Sequence, residues 1–419
     1  MMNISPLVWF VVAWFVFIGL VKLLLGNRVR IYYYIALMAR SSGVERVLRP
    51  LADLIEGVPA IVIFVIVVVF FALAMVYAVP VLLPMPIQVI GELVGFVPSF
   101  IRILGINIAA TVSVLTSLHT VSGQQAATQL VQSRFTPATP LIPGVTISVN
   151  VFIIVLIAIG ISILVHEVSH GIVALRYGGR IKSGGVFLSL FILYGGFVEV
   201  DEVDLRKRAG LRGVLAMLSA GVFANMILSI IAIGLMYLAL IPALQPYLSG
   251  IVITSIVKDS PAFYANIPAN SLLLAVNGKP IISSLTLLYV LEGLKPGSQV
   301  TLTILHSGII HTYTIVTSSN PSDPSLPFIG ITIGDRLFYQ FIYWLWTINV
   351  VIILLNTMPA WPLDGGQFLY HILLSIPGFK EDWANWIMYI ISAALWVLFV
   401  FTLLVSLSSG LWRIAVTPP

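Results

Sequence analysis

The chain has 419 residues, of which 59% are hydrophobic and only 9% are charged. A soluble globular protein carries about 25% charged residues, so the composition excludes that class and predicts a polytopic membrane protein. The chain contains no cysteine, which excludes disulfide bonds, thiolate metal sites and cysteine nucleophiles. In a membrane protein, a small positive net charge such as the +5 of this chain reflects basic cytoplasmic loops more often than nucleic-acid binding. We therefore expect the lipid bilayer, and no nucleic acid, as a partner.

Six apolar runs are long enough to cross a bilayer, which takes about 20 helical residues. They are Pro6 to Leu25, Val58 to Leu83, Thr146 to Leu175, Val214 to Leu240, Phe338 to Leu355 and Trp386 to Ser406. The predicted fold class is an α-helical polytopic membrane protein with about six transmembrane helices. An additional span within residues 84–145 is rejected, because it would place Arg102 in lipid.

Basic residues orient the six spans, because cytoplasmic loops of membrane proteins are enriched in lysine and arginine. The dense groups are Arg28, Arg30, Arg40, Arg46 and Arg49 after the first span, and Arg176, Arg180, Lys182, Arg206, Lys207, Arg208 and Arg212 after the third. These loops are predicted to be cytoplasmic. The N-terminus and the 84–145 segment are then expected on the outer side of a cell membrane.

The third span ends in His166-Glu167-Val168-Ser169-His170. Histidines at this spacing lie one helical turn apart on one face, so both imidazoles can reach a single metal ion. A glutamate directly after the first histidine can hold and deprotonate a water molecule. This is the H-E-x-x-H signature of zinc hydrolases. Ionisable groups at the end of an apolar run are costly and usually functional, which favours metal binding over packing.

Residues 184–204 are apolar but short, and two glycine pairs interrupt them. β-branched and aromatic residues between glycine pairs indicate a hairpin or a re-entrant loop. A strand edge beside a catalytic centre could hold an extended substrate by strand addition. An ordinary interfacial loop with a packing role is the alternative.

Residues 248–318 predict a small β-rich domain between the fourth and fifth spans. Strands are expected at 250–257, at 272–281 around an Asn277-Gly278 turn, at 299–305 and at 313–316. A helix over 285–294 would be capped by Ser283 or Ser284. The elements Ser260-Pro261-Ala262 and Val276-Asn277-Gly278 resemble the PDZ domain of membrane-embedded proteases.

A catalytic zinc site needs three protein ligands and one open position. The remaining histidines stand in loops, in the β-rich domain or in a connecting stretch without a partner motif; they are His119, His306, His311 and His371. Asp364 is the better candidate. Two prolines end the fifth span and two glycines free the backbone around Asp364, so the turn can aim this carboxylate at the depth of His166. A helix-capping aspartate is the alternative.

These motifs together resemble the site-2 protease family of intramembrane zinc metalloproteases. The matching residues are His166-Glu167-x-x-His170, Gly196-Phe-Val-Glu199, Ala220-Gly221-Val-Phe-Ala-Asn225 and Asn356-x-x-Pro359-x-x-x-x-Asp364-Gly365. The resemblance implies a Zn²⁺ cofactor, transmembrane protein substrates and regulated intramembrane proteolysis. It implies that Asn356, and with it Asn225, contacts the substrate. The alternatives are a helix-terminal cap for Asn356 and a bond to a neighbouring helix for Asn225.

In the predicted mechanism, zinc held by His166, His170 and Asp364 polarises water and the scissile carbonyl, and Glu167 transfers the water proton to the leaving amine. The active site is expected near the cytoplasmic side. The PDZ-like domain would act outside the cell, either as a size filter or by recognising a trimmed ectodomain. The sequence assigns neither the natural substrate nor the oligomeric state.

Four regions are predicted on this basis. They are an N-terminal two-span region with an external loop (1–145), the first part of the catalytic membrane core (146–245), the PDZ-like domain (246–336), and the second part of the core with the C-terminal span (337–419). Two other classes are open. The chain could be a catalytically silent scaffold that binds partners through the PDZ-like domain. An ion transporter is the second alternative, although no inverted repeat is visible.

Overall fold

The computed structural model describes residues 6–26, 29–32, 34, 36–77, 148–189, 193–241, 243–321 and 323–409. The predicted external segment, 84–145, lies outside these residues. The described chain forms two compact units. The first comprises the residues up to 77 together with 159–227 and 349–409, and the second comprises 148–158 and 228–348.

The described residues contain eleven helices: α1 (Pro6–Leu25), α2 (Val44–Leu54), α3 (Ala60–Tyr77), α4 (Val149–Arg176), α5 (Glu202–Leu238), α6 (Gln245–Leu248), α7 (Pro261–Tyr264), α8 (Ser284–Glu292), α9 (Leu337–Asn356), α10 (Asp364–Leu373) and α11 (Glu381–Ser409). Helices α1, α3, α4, α5, α9 and α11 coincide with the six predicted spans. Among the described residues, the three helices α4, α5 and α9 are long and apolar enough to cross a membrane. A membrane crossing by the other three stays a prediction.

Helix α5 is the most enclosed of these three helices. Of its most apolar window 67% is buried, against 22% in α4 and 33% in α9. The helix begins at Glu202, earlier than the predicted start at Val214. The difference has a local cause, because Gly210 has φ 63° and ψ −159° and separates a charged first segment from the apolar span. A side-chain oxygen of Asp201 accepts a hydrogen bond from the Asp204 amide at 3.1 Å and begins that first segment.

A four-stranded antiparallel sheet follows the order β1-β2-β3-β4. Its strands are β1 (Val29–Tyr32), β2 (Ala36–Ser41), β3 (Ile181–Ser189) and β4 (Leu193–Val200). The β3–β4 pair confirms the predicted hairpin within 184–204. The strands β1 and β2 were not predicted. They join the hairpin through β2, and the guanidinium of Arg40 bonds to Ser183 and Glu199 across the sheet.

Helix α2 is fixed to the same sheet by Glu45. The Ile181 amide donates to Glu45 Oε2 at 3.0 Å, and the Arg49 guanidinium forms an ion pair with the same carboxylate. The amide bond and then the Arg49 contact hold the pKa of Glu45 below its usual range. Leu48 and Ala52 of α2 pack in a buried cluster with Leu175 of α4.

The predicted β-rich domain is present in the second unit. Its strands are β5 (Ile251–Ile256), β6 (Ser271–Val276), β7 (Lys279–Pro280), β8 (Gln299–His306), β9 (Ile309–Val316), β10 (Ser318–Ser319), β11 (Pro327–Phe328) and β12 (Ile331–Asp335). The main sheet has the order β12-β5-β6-β8-β9, with β7 on β6. As expected, Ser283 caps α8, its hydroxyl accepting from the Thr286 amide. The last strand, β12, was not predicted. It pairs antiparallel with β5, so that Ile251 and Asp335 are register partners.

Candidate metal centre

The two histidines of α4 lie together in the interior of the first unit. His166 and His170 are 5% and 6% exposed. Their rings meet edge to face, with centroids 4.7 Å apart. The helical spacing of the two residues therefore produces the shared face that the sequence predicts.

Asp364 completes the cluster from a different helix. Its Oδ2 lies 3.0 Å from His166 Nε2 and 3.4 Å from His170 Nε2. One ligand atom from each of the three residues lies within 4.8 Å of the others. The structure thus brings the three predicted ligands together. Their role as zinc ligands stays a prediction.

The Nδ1 atom of each imidazole has a hydrogen-bond partner in the protein. His170 Nδ1 lies 2.6 Å from the Met217 carbonyl oxygen, which only accepts hydrogen bonds, so Nδ1 carries the proton. His166 Nδ1 lies 2.5 Å from Asn225 Oδ1 and is likewise the donor. In the neutral tautomers each Nε2 is therefore an unprotonated acceptor that faces Asp364 Oδ2. Three acceptor atoms face one another.

This donor set fits a zinc ion. Buried acceptors at such short separations repel one another unless a cation lies between them. Asp364 Oδ2 is buried and has no hydrogen-bond partner among the described residues. Two histidines and a carboxylate with a fourth position open are a recurrent ligand set for catalytic zinc.

The turn before α10 positions Asp364, the first residue of that helix. A Cβ on Gly365 would lie 2.5 Å from the Met358 carbonyl oxygen, so only glycine permits this packing of the turn. The backbone of Trp361 is held by α11, since its amide donates to Ser392 Oγ at 2.8 Å and its carbonyl accepts from Trp396 Nε1 at 2.7 Å. Gly365 and Gly366 both lie within α10 and neither has a positive φ, so they permit close packing of the turn and do not free the backbone as the sequence predicted.

Gly221 of α5 lies against both imidazoles. A Cβ at this position would be 2.5 Å from His170 Nε2 and 2.6 Å from His166 Cε1. These atoms belong to rings that are hydrogen-bonded on their far side, so they cannot move away freely. Any residue larger than glycine would displace at least one of the two histidines.

We expect Gly221→Ala to weaken zinc binding by at least ~10-fold, comparable with the loss of a group that orients a ligand. Chelator competition on the purified protein measures this affinity. Gly234→Ala is the matched control, because it lies in the same helix and a Cβ there meets no atom within 4 Å. Equal zinc affinity in the two variants would contradict the proposed crowding at Gly221.

Glu167 is held at the edge of the four-stranded sheet. Its Oε2 accepts a hydrogen bond from the Val198 amide of β4 at 2.9 Å. No group among the described residues donates to its Oε1, which leaves that oxygen available to a water molecule. Strand β4 is the terminal strand of the sheet, so Glu167 lies at the outer edge of the sheet.

The β3–β4 hairpin runs beside α4. The Tyr194 hydroxyl accepts from the Gly160 amide at 3.1 Å, and a Cβ on Gly195 would lie 3.1 Å from Ile163. Since Tyr194 contacts Gly160 and Val198 contacts Glu167, β4 follows α4 over about two turns. The glycines permit this close approach of a strand to a helix.

The two predicted substrate contacts differ in their surroundings. Asn225 is fully buried, and its amide nitrogen donates to the Ser162 carbonyl at 3.0 Å and to Asn349 Oδ1 at 2.6 Å. Asn356 is the last residue of α9 and is half-buried.

Sequence reasoning missed Asn349, Ser162 and the Met217 carbonyl. The signal for the first two was present, because polar residues inside apolar spans usually have a function.

The predicted H-E-x-x-H helix, the carboxylate that meets it from a second helix and the long apolar helices together are typical of membrane-embedded metallopeptidases. The chain belongs to peptidase family M50, whose model matches residues 154–399. This is the site-2 protease family, so the resemblance predicted from the sequence is confirmed.

Two of the curated proteins to which the chain is similar illustrate the match. Over 251 residues, 60% of this chain, it is 29% identical to an uncharacterised protein of Methanocaldococcus jannaschii. It spans 61% of that relative's length. Over 75 residues, 18% of this chain, it is 29% identical to a probable periplasmic serine endoprotease, DegP-like, of Pseudomonas fulva, of which it covers 16%.

Solved structures similar to part of the chain include two PDZ domains. One belongs to the SdrC-like protein of Listeria monocytogenes and matches with 23% identity, over 20% of this chain and 87% of that one, at a TM-score of 0.19. The other, from the SdrC-like protein of Listeria innocua, matches with 23% identity, over 21% of this chain and 96% of that one, also at 0.19.

Proposed function

We propose that the protein is an intramembrane zinc metalloprotease that hydrolyses peptide bonds within or near transmembrane segments of membrane-anchored proteins. One observation carries this proposal. The Nε2 atoms of His166 and His170 and the buried Oδ2 of Asp364 converge on one point. Membership of peptidase family M50 supports it.

The residues of the chain divide the chemistry between them. Zinc bound to His166, His170 and Asp364 would supply a Lewis acid that polarises the scissile carbonyl and lowers the pKa of a water molecule. Glu167 accepts the proton of the attacking water through its Oε1. As the carbonyl carbon gains the hydroxyl and the C–N bond breaks, Glu167 gives this proton to the leaving amine.

A transmembrane substrate must be unwound before it is cut, because its carbonyls are hydrogen-bonded within the helix. The outer edge of β4 can pair with an unwound, extended segment. Glu167 lies at that edge beside Val198, so a peptide paired there would pass the proton acceptor. Asn356, at the end of α9, is the proposed partner for the substrate backbone.

We place this site near the cytoplasmic side of the membrane and the N-terminus outside. The dense basic segments before α3 and after α4 support this orientation. A site close to one face is reached by water more easily than one at the bilayer centre.

The test is proteolysis of single-span model substrates by the purified protein in liposomes. Cleavage mapped inside the span, lost on chelation and restored by zinc, is the expected result. Stoichiometric zinc without cleavage of any substrate would instead support the silent scaffold. Absence of bound zinc would refute the metal centre itself.

Replacing the β-rich domain is expected to change which substrates are cut while leaving zinc binding intact. Ile251 and Asp335 are partners across antiparallel strands, only about 5 Å apart at Cα, so a short Gly-Ser linker can replace residues 252–334. If the domain is a size filter, the shortened protein will cut full-length and ectodomain-trimmed substrates at similar rates, whereas the intact protein will prefer trimmed ones. Equal rates with the intact protein would exclude the filter.

A further inference from the structure

Three polar residues form a buried group behind His166 that the mechanism above does not use directly. Ser162 of α4, Asn225 of α5 and Asn349 of α9 are each 0% exposed. Polar groups in apolar helices are costly unless they are hydrogen-bonded, and they usually serve a function. All three belong to the first unit.

The direction of the hydrogen bonds in this group is fixed by one carbonyl. Ser162 O can only accept, so the group of Asn225 that lies 3.0 Å from it must be the NH₂. The second hydrogen of that NH₂ needs an acceptor, which is Asn349 Oδ1 at 2.6 Å. Asn349 Nδ2 in turn donates to Ser162 Oγ at 2.8 Å.

The orientation of the Asn225 amide determines which nitrogen of His166 carries the proton. With both hydrogens of Asn225 committed, its Oδ1 is the atom 2.5 Å from His166 Nδ1. The oxygen accepts the Nδ1 proton and leaves the Nε2 lone pair directed at Asp364. A flipped Asn225 amide would present NH₂ to His166 and favour the opposite tautomer, whose Nε2 cannot bind a metal.

We propose that Asn349 is a positioning residue for His166, acting through Asn225. The inference rests on the proposed zinc-dependent function. Loss of the Asn349 oxygen leaves one Asn225 hydrogen without that acceptor, so that the Ser162 carbonyl alone holds the amide against flipping. His170 is oriented separately by the Met217 carbonyl, so Asn349 acts on one ligand only.

A double-mutant cycle on zinc affinity tests the proposal. We expect Asn349→Leu and Asn225→Leu each to weaken zinc binding by ~10-fold or more, in the range typical of groups that orient a ligand. Both changes act through the same bond to His166, so their effects should not be additive. We therefore expect the zinc affinity of the double variant to lie within about twofold of that of Asn225→Leu. Chelator competition gives the affinities, and the absorption spectrum of the Co²⁺ protein reports the change at the metal.

Two further variants separate positioning from general damage to α9. Thr347→Val removes a hydroxyl that donates to the Tyr343 carbonyl of the same helix at 2.9 Å and bonds to no other group in the described part of the chain. This variant should retain zinc affinity. Asn349→Asp keeps the oxygen that accepts from Asn225 and should bind zinc more tightly than Asn349→Leu, even if the leucine variant folds poorly.

The outcomes are distinct. Unchanged zinc affinity in Asn349→Leu, or independent losses that multiply in the double variant, would overturn the positioning role while leaving the proposed function in place. A wild-type protein that binds no zinc would refute the proposed function itself.

Discussion

Glu167→Gln is expected to abolish cleavage of the model substrates while zinc still binds. Loss of a general base typically lowers the rate ~10²–10⁴-fold. Glutamine has the shape of glutamate, and its side-chain oxygen can still accept from the Val198 amide, as Glu167 Oε2 does at 2.9 Å. The change therefore removes the proton acceptor and leaves the strand in place. The rate constant and the zinc affinity are measured on the same preparation.

Ser169→Ala provides the matched control for Glu167→Gln. Ser169 lies in the same motif, but its hydroxyl donates to the Val165 carbonyl of its own helix at 2.7 Å and has no other hydrogen bond among the described residues. We expect this variant to keep both zinc and activity. Full activity of Glu167→Gln would show that another group accepts the proton, and loss of zinc in that variant would show that Glu167 contributes to the ligand set.

The core of the site could be predicted because its determinants are local in sequence. His166, Glu167 and His170 owe their arrangement to one helical turn, which spacing alone defines. Asp364 needed more, since no local rule places it beside α4. It was selected because the other histidines lacked a suitable context and because two prolines precede it and two glycines follow it. The structure places it 3.0 Å from His166.

The supporting group could not be assembled from the sequence. Asn225, Asn349 and Ser162 lie on three different helices, and their contacts depend on helix rotation and depth, which apolar runs of similar composition do not specify. The run lengths located the helices well. They did not reveal which polar residues face one another.

The β1–β2 pair shows the same limit for strands. Residues 29–41 carry two arginines, Arg30 and Arg40, among mostly apolar residues and were interpreted only as a basic loop. They become strands because β2 pairs with β3, a partner far away in sequence. Strand formation depends more on such partners than on intrinsic preference, so local reasoning predicted the β3–β4 hairpin and missed its neighbours.

Asp364→Asn is expected to lower the zinc affinity by more than ~100-fold. That is more than the loss expected for a residue that only orients a ligand, such as Asn225 or Asn349. Asparagine preserves the size of the side chain and the turn formed by Gly365, but a neutral amide is a weak zinc ligand. The amide could also place its NH₂ against the two Nε2 atoms, 3.0 and 3.4 Å from the present oxygen. Hydrogen bonds would then stabilise the metal-free centre and oppose zinc further.

The control for Asp364→Asn is Asp382→Asn, an exposed aspartate that likewise lies in the first turn of a helix. Both variants lose a favourable carboxylate at a helix N-terminus, so a difference in zinc affinity reports the metal site alone. Among the described residues, no fourth histidine or acidic residue joins the cluster. If Asp364→Asn bound zinc as tightly as the wild type, the two histidines would have to hold the metal without the carboxylate, and the proposed set of three ligands would be wrong. We expect the opposite, with zinc and cleavage lost together, because Asp364 is the one acidic residue of the ligand cluster among the described residues.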